Sequence, residues 1–186
     1  MNGIIRPAIV QDAEGIGRVS VIAWRETYAG IMPDDYLAAL SIEQRANVFR
    51  DRIVNLPDRQ RIFVALDHAE HVVGFGVSGP AREIELGTDG EVFAINIVDA
   101  AKRQGLGVRL MAAMADALLS HSLSQVGLWV IDRNEPARRF YETLGGRAAA
   151  KKDQLFGSKS IVELGYVWSS LAALQRAAQE LMERRG

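Results

Sequence analysis

Near the middle of the chain, Lys102-Arg103-Gln104-Gly105-Leu106-Gly107 combines two cations with two glycines one residue apart. An almost wholly apolar run, Val92 to Val98, precedes it. A segment in which Met111, Met114 and Leu118 share a helical face follows it. The order strand, glycine loop, helix suits anion binding. Glycine lets backbone approach a ligand without a Cβ in the way, and the first turn of a helix offers unpaired N–H donors and a partial positive charge. Lys102 and Arg103 stand at the wrong end of that dipole, at a cost of roughly a few tenths of a kcal/mol each, and a phosphate would reverse the sign. A solvated basic turn is the other reading of the same residues. Two common phosphate motifs do not fit. Leu110 occupies the place of the third glycine of a dinucleotide fingerprint, and no G-x-x-x-x-G-K-[ST] is present.

The elements that would position this loop can be read along the chain. Ile4 to Ile9 is a predicted strand, with Asp12 capping a helix that carries Ile16, Val19, Ala23 and Tyr28 and ends near Ala29–Gly30. Pro33 opens a short helix through Leu40, and Ser41 with Gln44 forms a capping-box signal for a helix to about Asn55. Arg61–Leu66 and His71–Ser78 read as a strand pair, and Pro80–Gly90 as a charged loop. Val92–Val98 is expected to be a central strand buried on both faces. Gly105–Ser120 is a helix, Gln125–Val130 a strand, and Pro136–Leu144 a helix stopped by Gly145–Gly146. A hairpin of Arg147–Phe156 and Lys159–Trp168 turns at Gly157–Ser158, and Ser169 caps a last helix, Ser170–Arg184.

With 186 residues, 48% of them hydrophobic, and a net charge of −1, the chain has the composition of one globular domain and no global attraction for nucleic acid. The absence of cysteine excludes thiolate catalysis, disulfides and cysteine metal sites. No apolar run reaches the roughly 18 residues of a membrane span, and the N-terminus lacks the pattern of a secretory signal. No membrane partner and a cytoplasmic location are therefore expected. His68, His71 and His121 show no metal-ligand spacing, so no metal is expected.

Two blocks carry a family resemblance. Lys102 to Gly107 resembles the [QR]-x-x-G-x-[GA] pyrophosphate loop of the GNAT superfamily of N-acetyltransferases, with Gly105 and Gly107 matching and Lys102 departing from the usual Gln or Arg. Asn134, Ala137, Tyr141 and Gly145 match its N-x-x-A-x-x-x-Y-x-x-x-G-F pattern, with Gly146 in place of the final Phe. The stretch AWRETYAGIMPDDYL near the N-terminus is similar to one GNAT subgroup. The resemblance implies an α/β (α+β) fold: a central mixed, mostly antiparallel sheet of about seven strands flanked by helices. The acetyltransferase domain would span residues 1–168, with a C-terminal helix in 169–186 packed on it or used in a homodimer.

It implies acetyl-CoA as co-substrate, held by Ile95, Ile97, Val98, Lys102, Arg103, Gln104, Gly105, Leu106, Gly107, Val108, Asn134 and Arg138. Backbone N–H groups near Ile97 and Val98 would serve the pantetheine arm and the oxyanion. Tyr141 is the implied acid for the leaving thiolate and Glu91 the candidate base, with Asp99, Glu26 and Glu85 in reserve. Trp24, Glu26, Thr27 and Tyr28 would wall the acceptor pocket, where the aromatic rings can hold an ammonium. Trp24 and Tyr28, at i and i+4, read equally as core. The expected reaction moves an acetyl group from acetyl-CoA to a primary amine of a small molecule or protein. A non-catalytic acyl-CoA-binding module is the alternative, and a dinucleotide-binding domain a third.

Overall fold

The computed structural model of the chain describes residues 3–82 and 84–184. Residues 1, 2, 83, 185 and 186, which the expected domain limits take in, lie outside the described residues. Among the described residues, the strands are β1 (Ile4–Pro7), β2 (Arg61–Leu66), β3 (Val72–Pro80), β4 (Gly90–Ile97), β5 (Val126–Ile131), β6 (Arg147–Phe156) and β7 (Lys159–Trp168). The helices are α1 (Ala13–Tyr28), α2 (Asp34–Ala38), α3 (Ile42–Val54), α4 (Leu106–Ser120), α5 (Glu135–Thr143) and α6 (Leu171–Glu183). One sheet runs β1-β2-β3-β4-β5-β7-β6. Every neighbouring pair is antiparallel except β4 and β5, which the crossover through α4 makes parallel. The mixed, mostly antiparallel sheet with its C-terminal helix is the expected fold.

Alternation along β2 shows how the layers form. Ile62, Val64 and Leu66 pack with Ile16 and Val19 of α1 and Phe49 of α3. Phe63 and Ala65 point the other way, toward Leu106 and Leu110 of α4. The α4 side continues through Met111, Met114 and Leu118 to Leu171, Leu174 and Ala178 of α6, all buried. The C-terminal helix therefore packs on α4. Among the described residues, no helix is long and apolar enough to cross a membrane.

Local expectations change at three points. Asp12 does not cap α1. Its carboxylate accepts from the Ile9 N–H at 2.8 Å and pairs with Arg6 at 2.7 Å, closing a short 3-10 turn before the helix. Ser170, not Ser169, caps α6, its hydroxyl accepting from Ala173 N–H at 3.2 Å. The third change is β4, which is buried at Gly90, Glu91 and Val92 but only half-buried from Phe93 to Ile97. Its apolar run lines a cavity instead of a closed core.

A clamp holds the buried end of β4 to β5. The Gly90 N–H donates to Gln125 O at 3.0 Å. The Asp89 carboxylate accepts from the backbone N–H groups of Ser124 at 2.9 Å and Gln125 at 2.8 Å, and from the Ser124 hydroxyl at 2.9 Å. Desolvation alone would raise the Asp89 pKa, but these donors outweigh it and hold the carboxyl below its ordinary value. A depressed folded-state pKa contributes stability above the ordinary carboxylate range, and that stability is lost as pH falls through the folded value. Asp89→Ala is expected to lower Tm by about 2–4 °C at pH 7. The gap to the wild type should close as the pH is taken below about 4 in a thermal-melt series. A gap that is constant with pH would show that the carboxylate charge is not what holds the joint.

Candidate functional site

β4 and β5 pair at Gly90↔Val126 and Glu91↔Gly127, and no further pairing follows. A register shift between Val77 and Ser78 of β3 leaves Phe93 as an extra residue in β4 and bends the strand there. Beyond it, Ile97 stands opposite Gly74 and Val98 N–H donates to Val73 O at 3.1 Å. Antiparallel alternation then directs the N–H and C=O groups of Asn96 toward β3, and those of Ile95 and Ile97 toward β5. On the facing strand, Asp132 N–H donates to Val162 O at 2.9 Å, so by the same rule Trp129 and Ile131 turn their backbone groups toward β4. With the strands splayed, these two rows of peptide groups face a cavity of about 510 Å³ that all four residues line.

One end of the cavity meets the N-terminus of α4. Gly105 precedes the helix with φ +81°, a left-handed conformation that favours glycine. No side chain caps this terminus, and its first turn carries no acidic residue. The N–H groups of Leu106, Gly107 and Val108 thus remain available to an anion. A Cβ on Gly107 would lie 3.2 Å from the Phe140 ring, so the helix and α5 approach here as closely as glycine allows. Lys102, Arg103, Gly105, Gly107 and Val108 line the cavity. Lys102 Nζ sits 2.5 Å from Asp99 Oδ1 and donates to Thr27 Oγ1 at 3.3 Å, tying the loop to α1. Two members of the expected loop contribute differently. Leu106 buries its side chain in the core, and the Gln104 amide donates to Ala100 O at 3.0 Å; neither side chain lines the cavity.

Midway along the cavity stands Tyr141 of α5, 6% exposed and packed against Tyr166 and Trp168. Burial pushes its phenol pKa up, and coupling to Tyr28 pushes it further, so the hydroxyl keeps its proton throughout the neutral range. Asn134 caps α5, its Oδ1 accepting from Ala137 N–H at 3.3 Å. Burial raises the Tyr28 pKa, the nearby Asn134 side chain opposes the rise, and the charge of Glu163 adds to it.

The far end of the cavity is aromatic. Trp24 meets Tyr28 at 4.9 Å between ring centroids and Phe156 at 6.1 Å, and Tyr36 meets Phe156 at 5.8 Å. Trp24, Thr27 and Tyr28 line the cavity; Trp24 and Tyr28 also pack with Met32 and Leu37. Glu163 of β7 lines the cavity, the one carboxylate among its described lining residues. Sequence reasoning missed Glu163, Trp129 and Phe156. The signal was present for Glu163, a lone carboxylate within the apolar stretch Ile161 to Leu164.

Four expected residues fall elsewhere. The Glu26 carboxylate accepts from Asp99 N–H at 2.8 Å on the surface and does not line the cavity, because the helical turn that faces Trp24 and Thr27 inward turns Glu26 outward. Val98 spends its N–H on β3, leaving Ile95 and Ile97 as the strand donors. Arg138 is held by Asp132 at 2.8 Å and Tyr166 at 3.5 Å, outside the cavity lining. Glu91 is 3% exposed and lies in an adjoining recess of about 240 Å³, where Arg82 engages both its oxygens through its backbone N–H and guanidinium. Of the reserve carboxylates, Asp99 pairs with Lys102 and Glu85 is exposed on the loop before β4. Among the described residues, no group of His, Asp and Glu side chains gathers as a metal site would require.

The model of the family described as the acetyltransferase (GNAT) family matches residues 21–145. An uncharacterized N-acetyltransferase of Bacillus subtilis, YuaI, is 34% identical over 171 residues, covering 92% of this chain and 95% of that protein. The PaiA N-acetyltransferase of Thermoplasma acidophilum, solved with coenzyme A, superposes with a TM-score of 0.68 at 21% identity over 88% of this chain and 98% of its own. A phosphinothricin acetyltransferase of Sinorhizobium meliloti, solved with acetyl-CoA, gives 0.65 at 16% identity over 90% of this chain and 88% of its own. These two share the fold.

If the α4 terminus grips an anion, a branched side chain at Gly107 must push Phe140 aside and cover the N–H donors. Gly107→Val is expected to weaken binding of free CoA at least about tenfold in calorimetry. Unchanged affinity would leave Lys102 to Gly107 as a basic turn.

Proposed function

This chain belongs to the GNAT acetyltransferase family, and from that premise we propose that the cleft between β4 and β5 is where it transfers an acetyl group from acetyl-CoA to a primary amine. The carrying observation is the splay itself: two rows of unpaired peptide groups lead from an uncapped helix N-terminus, past Tyr141, to an aromatic chamber holding a carboxylate. Such a chain of features suits one elongated ligand with a phosphate end, an amide-bearing arm and a reactive end. The N–H groups of Leu106, Gly107 and Val108 receive the pyrophosphate, with Lys102 and Arg103 adding charge. The peptide groups of Ile95, Ile97, Trp129 and Ile131 hydrogen-bond the arm as a neighbouring strand would.

The chemistry assigns the remaining side chains. A primary amine with pKa near 10.4 is neutral in roughly one molecule in a few thousand at pH 7, so it must lose a proton before attack. Glu163 takes that proton, directly or through water, in place of Glu91, whose oxygens Arg82 occupies. The neutral nitrogen then bonds to the thioester carbon, the C–S bond breaks with its electron pair on the departing thiolate, and the nitrogen releases its second proton through water. Backbone N–H groups of β4 stabilise the carbonyl oxygen as it becomes negative. Tyr141 donates a hydrogen bond to the departing sulfur. Its raised pKa keeps that donor present, and a thiolate with pKa near 8.5 needs little more.

Steady-state release of CoA thiol across a panel of amines tests the assignment. Tyr141→Phe is expected to lower kcat at least about tenfold while KM for acetyl-CoA stays within about twofold, because the hydroxyl acts on charge that develops only in the transition state. An unchanged kcat would remove Tyr141 from the mechanism. No turnover of acetyl-CoA with any amine, with CoA still bound, would favour a non-catalytic acyl-CoA-binding role.

A further inference from the structure

The recess that holds Glu91 is not used by the acetyl transfer. It opens off the aromatic end of the main cavity, sharing Phe93, Trp129, Phe156 and Glu163 with it. Two cations line it. The Arg82 guanidinium lies 4.3 Å from the centroid of the Phe93 ring and the Lys152 Nζ lies 4.1 Å from that of Trp129. Both rings belong to the shared wall, so both cations border the junction of the two spaces. Arg82 is anchored by Glu91 and remains 54% exposed at its side chain, while Glu91 is 4% exposed. Glu163 and Lys152 stand opposite each other in the β6–β7 register, with the carboxylate on the cavity side of the junction.

Among the described lining residues the charges balance, Arg82 and Lys152 against Glu91 and Glu163, and the balance carries information. A simple diamine or a simple anion would meet a repulsive partner for each attractive one. A molecule bearing an ammonium and an acidic group a short distance apart can satisfy both signs, its ammonium at Glu163 and the aromatic rings and its acid at Arg82 and Lys152. Glu91 takes the Nε and Nη2 side of the Arg82 fork and, with the Phe93 ring, fixes the guanidinium, whose positive charge suits a carboxylate or a similar oxyacid. We propose that the acceptor is a small dipolar amine of the amino-acid class, and that Arg82 and Lys152 select it by its acidic group. The proposal rests on the acetyltransferase reading of the main cavity and adds the chemical class of the second substrate.

The test compares L-phenylalanine with L-phenylalaninamide, and γ-aminobutyric acid with its amide, as acceptors in the thiol-release assay. For each substrate, kcat/KM of a variant is divided by that of the wild type, which cancels the different basicities of the amines. The wild type is expected to prefer the acid of at least one pair. Lys152→Gln should cut the acid-over-amide preference about fivefold or more, through KM for the acid. Arg82→Gln should do the same more strongly. Because it also unpairs Glu91, Lys152→Gln on the exposed β6 edge is the variant that decides if Arg82→Gln fails to fold. Loss of the preference in both variants supports the assignment. A wild type that favours both amides, or variants that lower acid and amide equally, would overturn it. Absence of thiol release with every amine would instead sink the acetyltransferase assignment of the cavity, a result distinguishable from loss of selectivity.

Discussion

Pairing between β4 and β5 covers Gly90 and Glu91 and then stops, and the rest of the site depends on that stop. A parallel pair within an otherwise antiparallel sheet must be joined by a crossover, here α4. The crossover brings a helix N-terminus beside the C-terminal end of β4. The bend at Phe93 then swings the end of that strand away from β5. Peptide groups that would have cost free energy if buried without partners instead face a cavity where solvent or a ligand can satisfy them. The same separation makes room for Tyr141 on one side and for the Trp24, Tyr28 and Phe156 rings on the other.

Around this opening the elements are tied to one another. Asp89 fastens the chain before β4 to the start of β5, Lys102 fastens the glycine loop to α1, and Asn134 caps α5. On the α4 side of the sheet, α6 covers α4 with Leu171, Leu174 and Ala178. A site built from backbone groups requires such support, because a strand that flexes by an ångström no longer aims its donors. The two glycines of the loop have separate reasons. Gly105 provides a left-handed turn, and Gly107 permits close packing against Phe140.

Much of this was legible in the residues. Helical spacing, strand alternation and turn residues placed nearly every element, and the hairpin of β6 and β7 has the expected limits. The glycine loop and Tyr141 were recognisable because their motifs are local in the chain. What was not legible is long-range. Val92 to Val98 is apolar whether it lines a cavity or a closed core, so the run could not announce the splay. The pairing of Glu91 with Arg82 is set by the path of the loop between β3 and β4, which composition does not fix. Glu26 and Arg138 were assigned from their neighbourhood in sequence, and helical phase turned both away from the cavity. Glu163, Trp129 and Phe156 come from three different strands and meet only once the sheet is assembled.

Amide hydrogen exchange along β4, read residue by residue with and without acetyl-CoA, tests the central claim most directly. The splayed cleft predicts fast exchange at Ile95 and Ile97 in the free protein, slow exchange at Asn96 and Val98, whose groups face β3, and selective slowing of Ile95 and Ile97 when acetyl-CoA is added. Uniform protection along β4 in the free protein, or no change at Ile95 and Ile97 at saturating acetyl-CoA, would contradict the account.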